Sequence, residues 1–198
     1  DTTSPSSAIT IPNDPIEKSL TTISGTANAD LSGLDNVKYS VQDHNKNYFD
    51  GAAFASVSEV FLATTSYGGS TGNNIYTSTI VTGADLTSGS TYTIRIYATD
   101  VSLPTPNTQE GGTPGSFTFL YDDINTETLN ITAPTDNGAY GPVQLLSNLT
   151  GAAIDNHAGL SSVQLELFNV TDSLYWGGYA FDQGSSSWVQ VGAPLDNW

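Results

Sequence analysis

Carboxylates are the most plentiful groups in this sequence that could do chemistry. Twenty Asp and Glu face only four Lys and Arg, which gives a formal net charge of −16 over 198 residues. Two sets stand out for position: Asp1, Asp30 and Asp100, then Asp122, Asp123 and Asp155. Hard carboxylate oxygens of this kind suit Ca²⁺, which takes roughly six to eight oxygen ligands from acids and loop carbonyls. Neither set is contiguous, so either can hold an ion only if the fold gathers distant segments at one end. Other chemistries find less support. His44 and His157 are the only histidines, both in turn-like segments, and no G-x-S-x-G elbow accompanies them. The acids do not recur in the apolar settings that raise a carboxyl pKa for acid–base work. The absence of Cys removes thiol catalysis, disulfides and thiolate metal sites. No enzymatic activity is expected.

The cations Lys18, Lys38, Lys46 and Arg95 are scattered. Nucleic-acid binding needs clustered cations that displace counterions, so that partner is excluded, and anionic membrane surfaces are disfavoured by the same charge. No apolar run is long enough to span a bilayer as a helix, and no membrane insertion is expected.

The elements that must position these groups repeat. Ile23-Ser24-Gly25-Thr26-Ala27 matches Leu149-Thr150-Gly151-Ala152-Ala153, and Gly33-Leu34-Asp35-Asn36-Val37 matches Gly159-Leu160-Ser161-Ser162-Val163, both 126 residues apart. Tyr48-Phe49-Asp50-Gly51 meets Tyr175-Trp176-Gly177-Gly178, Phe54 meets Phe181 and Phe61 meets Trp188, all at 127. Ile9-Thr10-Ile11-Pro12 meets Ile131-Thr132-Ala133-Pro134 at 122, and the difference falls in the turn around Asn137–Pro142. Two units follow, residues 1–122 and residues 123–198. Trp198 falls on Thr71 of the first copy, so the second lacks counterparts of Thr91–Tyr121. The expectation is that the chain is a piece of a longer one and stops inside a domain.

Alternation marks the strands. Val37, Tyr39 and Val41 share one face with Lys38 and Ser40 on the other, and Val163-Gln164-Leu165-Glu166-Leu167 repeats that pattern. Segments 20–27, 60–64, 75–81, 92–97 and 116–121 complete the first unit, separated by turn signals such as Gly68-Gly69 and Ser88-Gly89-Ser90. No segment sustains a helical period. About seven strands in roughly 120 residues predict a two-sheet sandwich. The predicted core is Val37, Tyr39, Val41 and Ile94 in unit one, and Val163, Leu165 and Leu167 in unit two. Without the missing strands, that second face would be left uncovered. In such a topology the entering linker and the loops after the second and sixth strands share one end. That end carries Asp1, Asp30 and Asp100 in unit one, and Asp122, Asp123 and Asp155 in unit two.

The runs I-S-G-T-A-x-x-D, S-G-L-x-x-V-x-Y-S-V, Y-F-D-G-x-x-F and T-Y-T-I-R-I-Y-A-T-D resemble bacterial Ig-like repeats, which occur in tandem in large cell-surface proteins, adhesins and surface-layer proteins. The resemblance implies an all-β fold of tandem immunoglobulin-like β-sandwiches, the second incomplete at its C-terminus. It also implies an extracellular or cell-surface location, neighbouring repeats or subunits of the same protein as partners, and calcium at the linkers. The expected function is a structural or adhesive repeat of a long surface, surface-layer or filament protein. The alternative is a noncatalytic carbohydrate-binding or spacer module of a secreted enzyme, with surface glycans stacked on Tyr48-Phe49 and Tyr175-Trp176. The recurrence of those aromatics with Phe54/Phe181 and Phe61/Trp188 favours a packing cluster instead. A Lys–Asn cross-link is not expected, because Lys38 lies opposite the apolar face and becomes Gln164 in the second copy. Asn130, Asn148 and Asn169 head glycosylation sequons.

Overall fold

The computed structural model describes residues 2–29, 32–67, 72–109, 115–141 and 148–192, with the backbone alone for 66, 67 and 72–75. The chain is all-β: among the described residues the single helical element is a 3-10 turn at Gly83–Asp85. It divides into two compact units, Asp1–Asp123 and Ile124–Trp198.

Unit one holds β1 (Ser6–Ile11), β2 (Ile16–Glu17), β3 (Ile23–Ala29), β4 (Leu34–Gln42), β5 (Tyr48–Phe49), β6 (Phe54–Ser56), β7 (Leu62–Ala63), β8 (Ser66–Tyr67), β9 (Gly72–Ser78), β10 (Ser90–Asp100) and β11 (Ser116–Tyr121). One sheet runs β1-β3-β9-β8 and the other β2-β11-β10-β4-β5-β6, with β7 beside β4. Both sheets feed one core: Ile23, Ala27 and Tyr76 from the first, and Val37, Tyr39, Val41, Ile94, Ile96 and Phe119 from the second. This is a two-layer sandwich. A buried hydrogen bond from Ser78 Oγ to Tyr39 Oη, 2.9 Å, ties β9 to β4 across it. The alternation of β4 works as the sequence predicts, with Val37, Tyr39 and Val41 buried and Lys38 on the other face. Val37 is 1% exposed, so Val37→Ala should cost unit one about 1–3 kcal/mol in denaturant melts, through lost burial and a residual cavity. A cost near zero would mean that β4 does not hold this register.

Several elements differ from the sequence expectation. The run Ile9-Thr10-Ile11-Pro12 reads as linker from the sequence, yet Ile9–Ile11 belong to β1, which pairs with β3. The expected strand at 92–97 extends over Ser90–Asp100, because β11 and β4 both supply partners along its length. The expected strand at 60–64 shrinks to β7, Leu62–Ala63.

Unit two holds β12 (Thr128–Ala133), β13 (Thr150–Ile154), β14 (Gln164–Glu166), β15 (Phe168–Asn169), β16 (Leu174–Trp176), β17 (Phe181–Gln183) and β18 (Trp188–Gln190). It repeats unit one in backbone detail. Ile9 pairs with Gly25 and Ile11 with Ser24 around a bulge, while Ile131 pairs with Gly151 and Ala133 with Thr150 around the same bulge. Tyr48↔Ser56 and Phe49↔Phe54 become Tyr175↔Gln183 and Trp176↔Phe181, with the irregularity at the same step. Tyr39↔Leu62 becomes Leu165↔Val189. Positive φ recurs at Gly33 and Gly159 (81° and 77°), at Gly51 and Gly178 (107° and 104°), and at Lys46 and Ser173 (69° and 56°). The last pair carries side chains, so a turn that bends the chain the same way is retained despite its steric cost.

The core expectation for unit two needs correction. Val163 is buried, but Leu165 and Leu167 are only half-buried. The reason is topological: no strand among the described residues of unit two covers β14 where β10 covers β4. Leu129, Ile131, Phe168, Phe181 and Trp188 are exposed as well.

Candidate functional site

Asp100 is the most strongly held of the expected metal ligands. It ends β10 with no exposed surface, and both oxygens are taken by protein donors. Oδ1 accepts the backbone N–H groups of Ser102 (3.1 Å) and Asn107 (2.7 Å). Oδ2 accepts Ser32 Oγ (3.0 Å), Ser102 Oγ (2.7 Å) and Asn107 Nδ2 (2.9 Å). Burial alone would raise its pKa, but the hydrogen bonds from Asn107 and Ser102 favour the anion more and hold the carboxyl well below its usual range. The Asp100 N–H donates in turn to the Asn107 carbonyl, 3.1 Å, so the loop after β10 closes around this side chain. A carboxylate with about four lone-pair directions and five donors has none left for a cation. Asp100 would have to shed donors before it could ligate calcium.

The loops themselves gather as expected. Ser32 reaches Asp100 from the loop after β3, and β1 begins opposite Asn28 at the same end. Asp1 and Asp30 lie outside the described residues. Asp122 follows β11 and is buried, accepting Ser88 Oγ at 2.9 Å beside the start of β10. Asp100 and Asp122 therefore sit at opposite ends of one extended strand, roughly 30 Å apart at about 3.3 Å per residue. Asp123 is exposed, and its N–H donates to Ser88 Oγ at 3.0 Å.

Asp155 caps the turn after β13. Its Oδ1 accepts the N–H groups of His157 and Ala158, each 3.1 Å, and of Gly159, 3.3 Å. The His157 N–H leads the causes that lower its pKa, against a smaller opposing effect of burial. His157 Nδ1 lies 3.5 Å from Glu127 Oε1, a charged pair only when the imidazole is protonated. Asx-type turns of this kind shape loops without any ligand.

Of the aromatic residues of unit one, Phe49, Tyr92 and Phe119 are core and Phe54 packs against it, whereas Tyr48 and Phe61 are half-buried outside it, Phe61 meeting Tyr97 at 5.2 Å and not the expected cluster. Phe49 and Phe54 meet edge-on at 5.2 Å, Phe54 meets Tyr92 at 5.3 Å, and Tyr92 meets Phe119 at 6.0 Å. In unit two Trp176 and Phe181 keep the edge-on geometry at 5.2 Å.

Sequence reasoning missed a polar cluster on the outer face of the larger sheet. Ser40 Oγ donates to Glu59 Oε1 at 2.6 Å, and Arg95 Nη1 donates to Glu59 Oε2 at 2.7 Å. At the repeat offsets Ser40 becomes Glu166 and Glu59 becomes Ser186, and Ser186 Oγ donates to Glu166 Oε2. The donor and the acceptor have exchanged places. That swap is visible when the two copies are aligned and was the signal available. No protein-family model matches the chain, and no curated protein matches it either.

Proposed function

We propose that this chain carries tandem Ig-like structural repeats of a long extracellular protein of a cell surface, surface layer or filament, and that it works by bearing and transmitting contact rather than by catalysis. The observation that carries this reading is the duplication of pairing register, bulges and positive-φ positions between the two units. Stacked copies of one supersecondary plan are how chains build length. The strand order of unit one fits a part under tension. β2 lies near its start and β11 at its end, and the two pair in parallel, with hydrogen bonds from Leu120 N to Pro15 O and from Asp122 N to Glu17 O, each 2.9 Å. Pulling the ends apart loads these bonds in shear, so they resist together instead of opening one at a time.

Force spectroscopy of the full chain between marker domains tests this. Unit one should unfold in a discrete force peak and release about 400 Å of chain between β1 and β11, at roughly 3.5 Å per residue. Pro substitution at Leu120 removes the first of the two N–H donors and should lower that peak. Smooth extension without a peak would rule out a tension-carrying role.

A further inference from the structure

We propose that Asn137-Gly138 in unit two is a site of spontaneous covalent modification, where Asn137 converts through a succinimide to aspartate and isoaspartate at a rate set by the opening of a turn that Tyr140 closes. The inference rests on this turn alone, not on the structural-repeat reading, so either can fail without the other.

The sequence singles out this pair. A succinimide forms when the amide nitrogen of the following residue reaches the asparagine Cγ, and a side chain on that residue obstructs the approach. Every other Asn in the chain is followed by a residue with a side chain, and only Asn137 precedes a glycine. Both residues are exposed, so water and hydroxide reach them. Unit one has no counterpart, because at the 122-residue offset Asn137 and Gly138 fall on Pro15 and Ile16. The reaction balances from the chain and water alone. Gly138 N gives its proton to hydroxide and attacks Asn137 Cγ. The N–Cγ bond forms, the Cγ–Nδ2 bond breaks, and the side-chain nitrogen leaves as ammonia. Water then opens the ring, giving aspartate where it breaks the bond to Cγ and isoaspartate where it breaks the bond to the main-chain carbonyl carbon. Both reacting groups belong to one short segment, so the attack is intramolecular.

The turn controls how often the attack can begin. Gly138 N–H donates to the Thr135 carbonyl at 2.9 Å. Asn137, the third residue of that turn, has φ 58°, as in a type II turn, where a positive φ suits Asn or Gly. Tyr140 holds the other end. Its hydroxyl accepts the Thr135 N–H at 2.8 Å and lies 3.1 Å from Thr135 Oγ1. A methyl group on Gly138 would overlap both Thr135 and the Tyr140 ring, so the turn is folded tightly on this glycine. The attacking nitrogen is therefore occupied while the turn is closed and released when it opens. Exposed loops open locally at small cost, so closure slows the reaction without abolishing it.

The test incubates the full chain in mildly alkaline buffer and follows each Asn by mass spectrometry of its fragments, with isoaspartate detected by enzymatic methyl transfer. Acid should appear at position 137 before any other Asn. A free peptide of residues 132–141, whose turn is unsupported, should convert about tenfold faster than the chain. Tyr140→Phe in the full chain should convert about fivefold faster than the unaltered chain, the effect of losing one hydrogen bond. Asn148 and Asn156 serve as references within the same molecule, and Tyr140→Phe should leave their rates unchanged. Were they to rise with position 137, the substitution would have unfolded the unit, and the comparison of chain with peptide would decide. Conversion first at another Asn, no acid at position 137 over the expected conversion time, or a chain that converts as fast as the peptide overturns the inference. So does a folded Tyr140→Phe chain with an unchanged rate.

Discussion

Gly25→Ala should destabilise unit one by about 3 kcal/mol or more, at the upper end of what forced overpacking costs. Gly25 sits in the middle of β3, paired to Ile9 on one side and Tyr76 on the other. The Tyr76 ring passes over it, fully buried, and its hydroxyl donates to the Ala8 carbonyl at 3.0 Å. A methyl group on Gly25 would overlap both the Tyr76 hydroxyl and the Ala8 carbonyl oxygen. The requirement is for space, not for an unusual dihedral, because Gly25 is not among the positive-φ glycines. Tyr76→Phe removes the hydroxyl and one hydrogen bond, and should cost about 1 kcal/mol. Combined with Gly25→Ala it should recover only part of the loss, since the Ala8 carbonyl still obstructs the methyl. Gly184→Ala, with nothing near the added atom, serves as a neutral reference within about 0.5 kcal/mol. A Gly25→Ala chain that melts like the unaltered one would mean that β1, β3 and Tyr76 do not approach this closely.

This glycine shows where the sequence was readable and where it was not. Its recurrence as Gly151 is plain in the chain, and so is the small-residue run around it. Its reason is Tyr76, brought alongside by a pairing that spans 51 residues. Local alternation reveals which residues of β4 face inward, because a period of two is a property of neighbours. It cannot reveal which strand lies alongside. For the same reason Ile9–Pro12 reads as linker: a short apolar pair before a proline has no long alternation of its own, and its pairing partner β3 lies elsewhere in the chain. The alternation of Leu165 and Leu167 predicts core positions, whereas their burial depends on a neighbouring strand. The acids were the least legible. Asp100 in a turn-rich, polar stretch looks the same whether it awaits a cation or collects donors from Ser32, Ser102 and Asn107. Only the fold distinguishes those two uses of a carboxylate.

Asp100→Asn should lower the Tm of unit one by about 10 °C at pH 7. The amide keeps the shape but turns one acceptor into a donor, which must then face either the fixed N–H groups of Ser102 and Asn107 or the donors on the other side. Exposed Asp123→Asn should change the Tm little. The pH dependence follows from the depressed pKa. The unfolded carboxyl titrates near 3.8 and the folded one well below it, so Asp100 stabilises fully above the unfolded value. That contribution is lost as pH falls below about 4 toward the folded pKa, since the folded anion must then take up a proton. The Tm difference between the unaltered chain and Asp100→Asn should therefore be constant from pH 7 to about 5 and shrink below 4. A difference that does not change down to pH 2 would contradict a hydrogen-bonded anion. Calcium removal separates the two possible roles of this side chain. If its oxygens are spent on protein donors, a chelator leaves the Tm difference intact. If Asp100 acts through a bound ion, the chelator destabilises the unaltered chain and not the variant, because only a ligand bound to the folded state raises its Tm. The five donors within 3.1 Å make the first outcome the expected one.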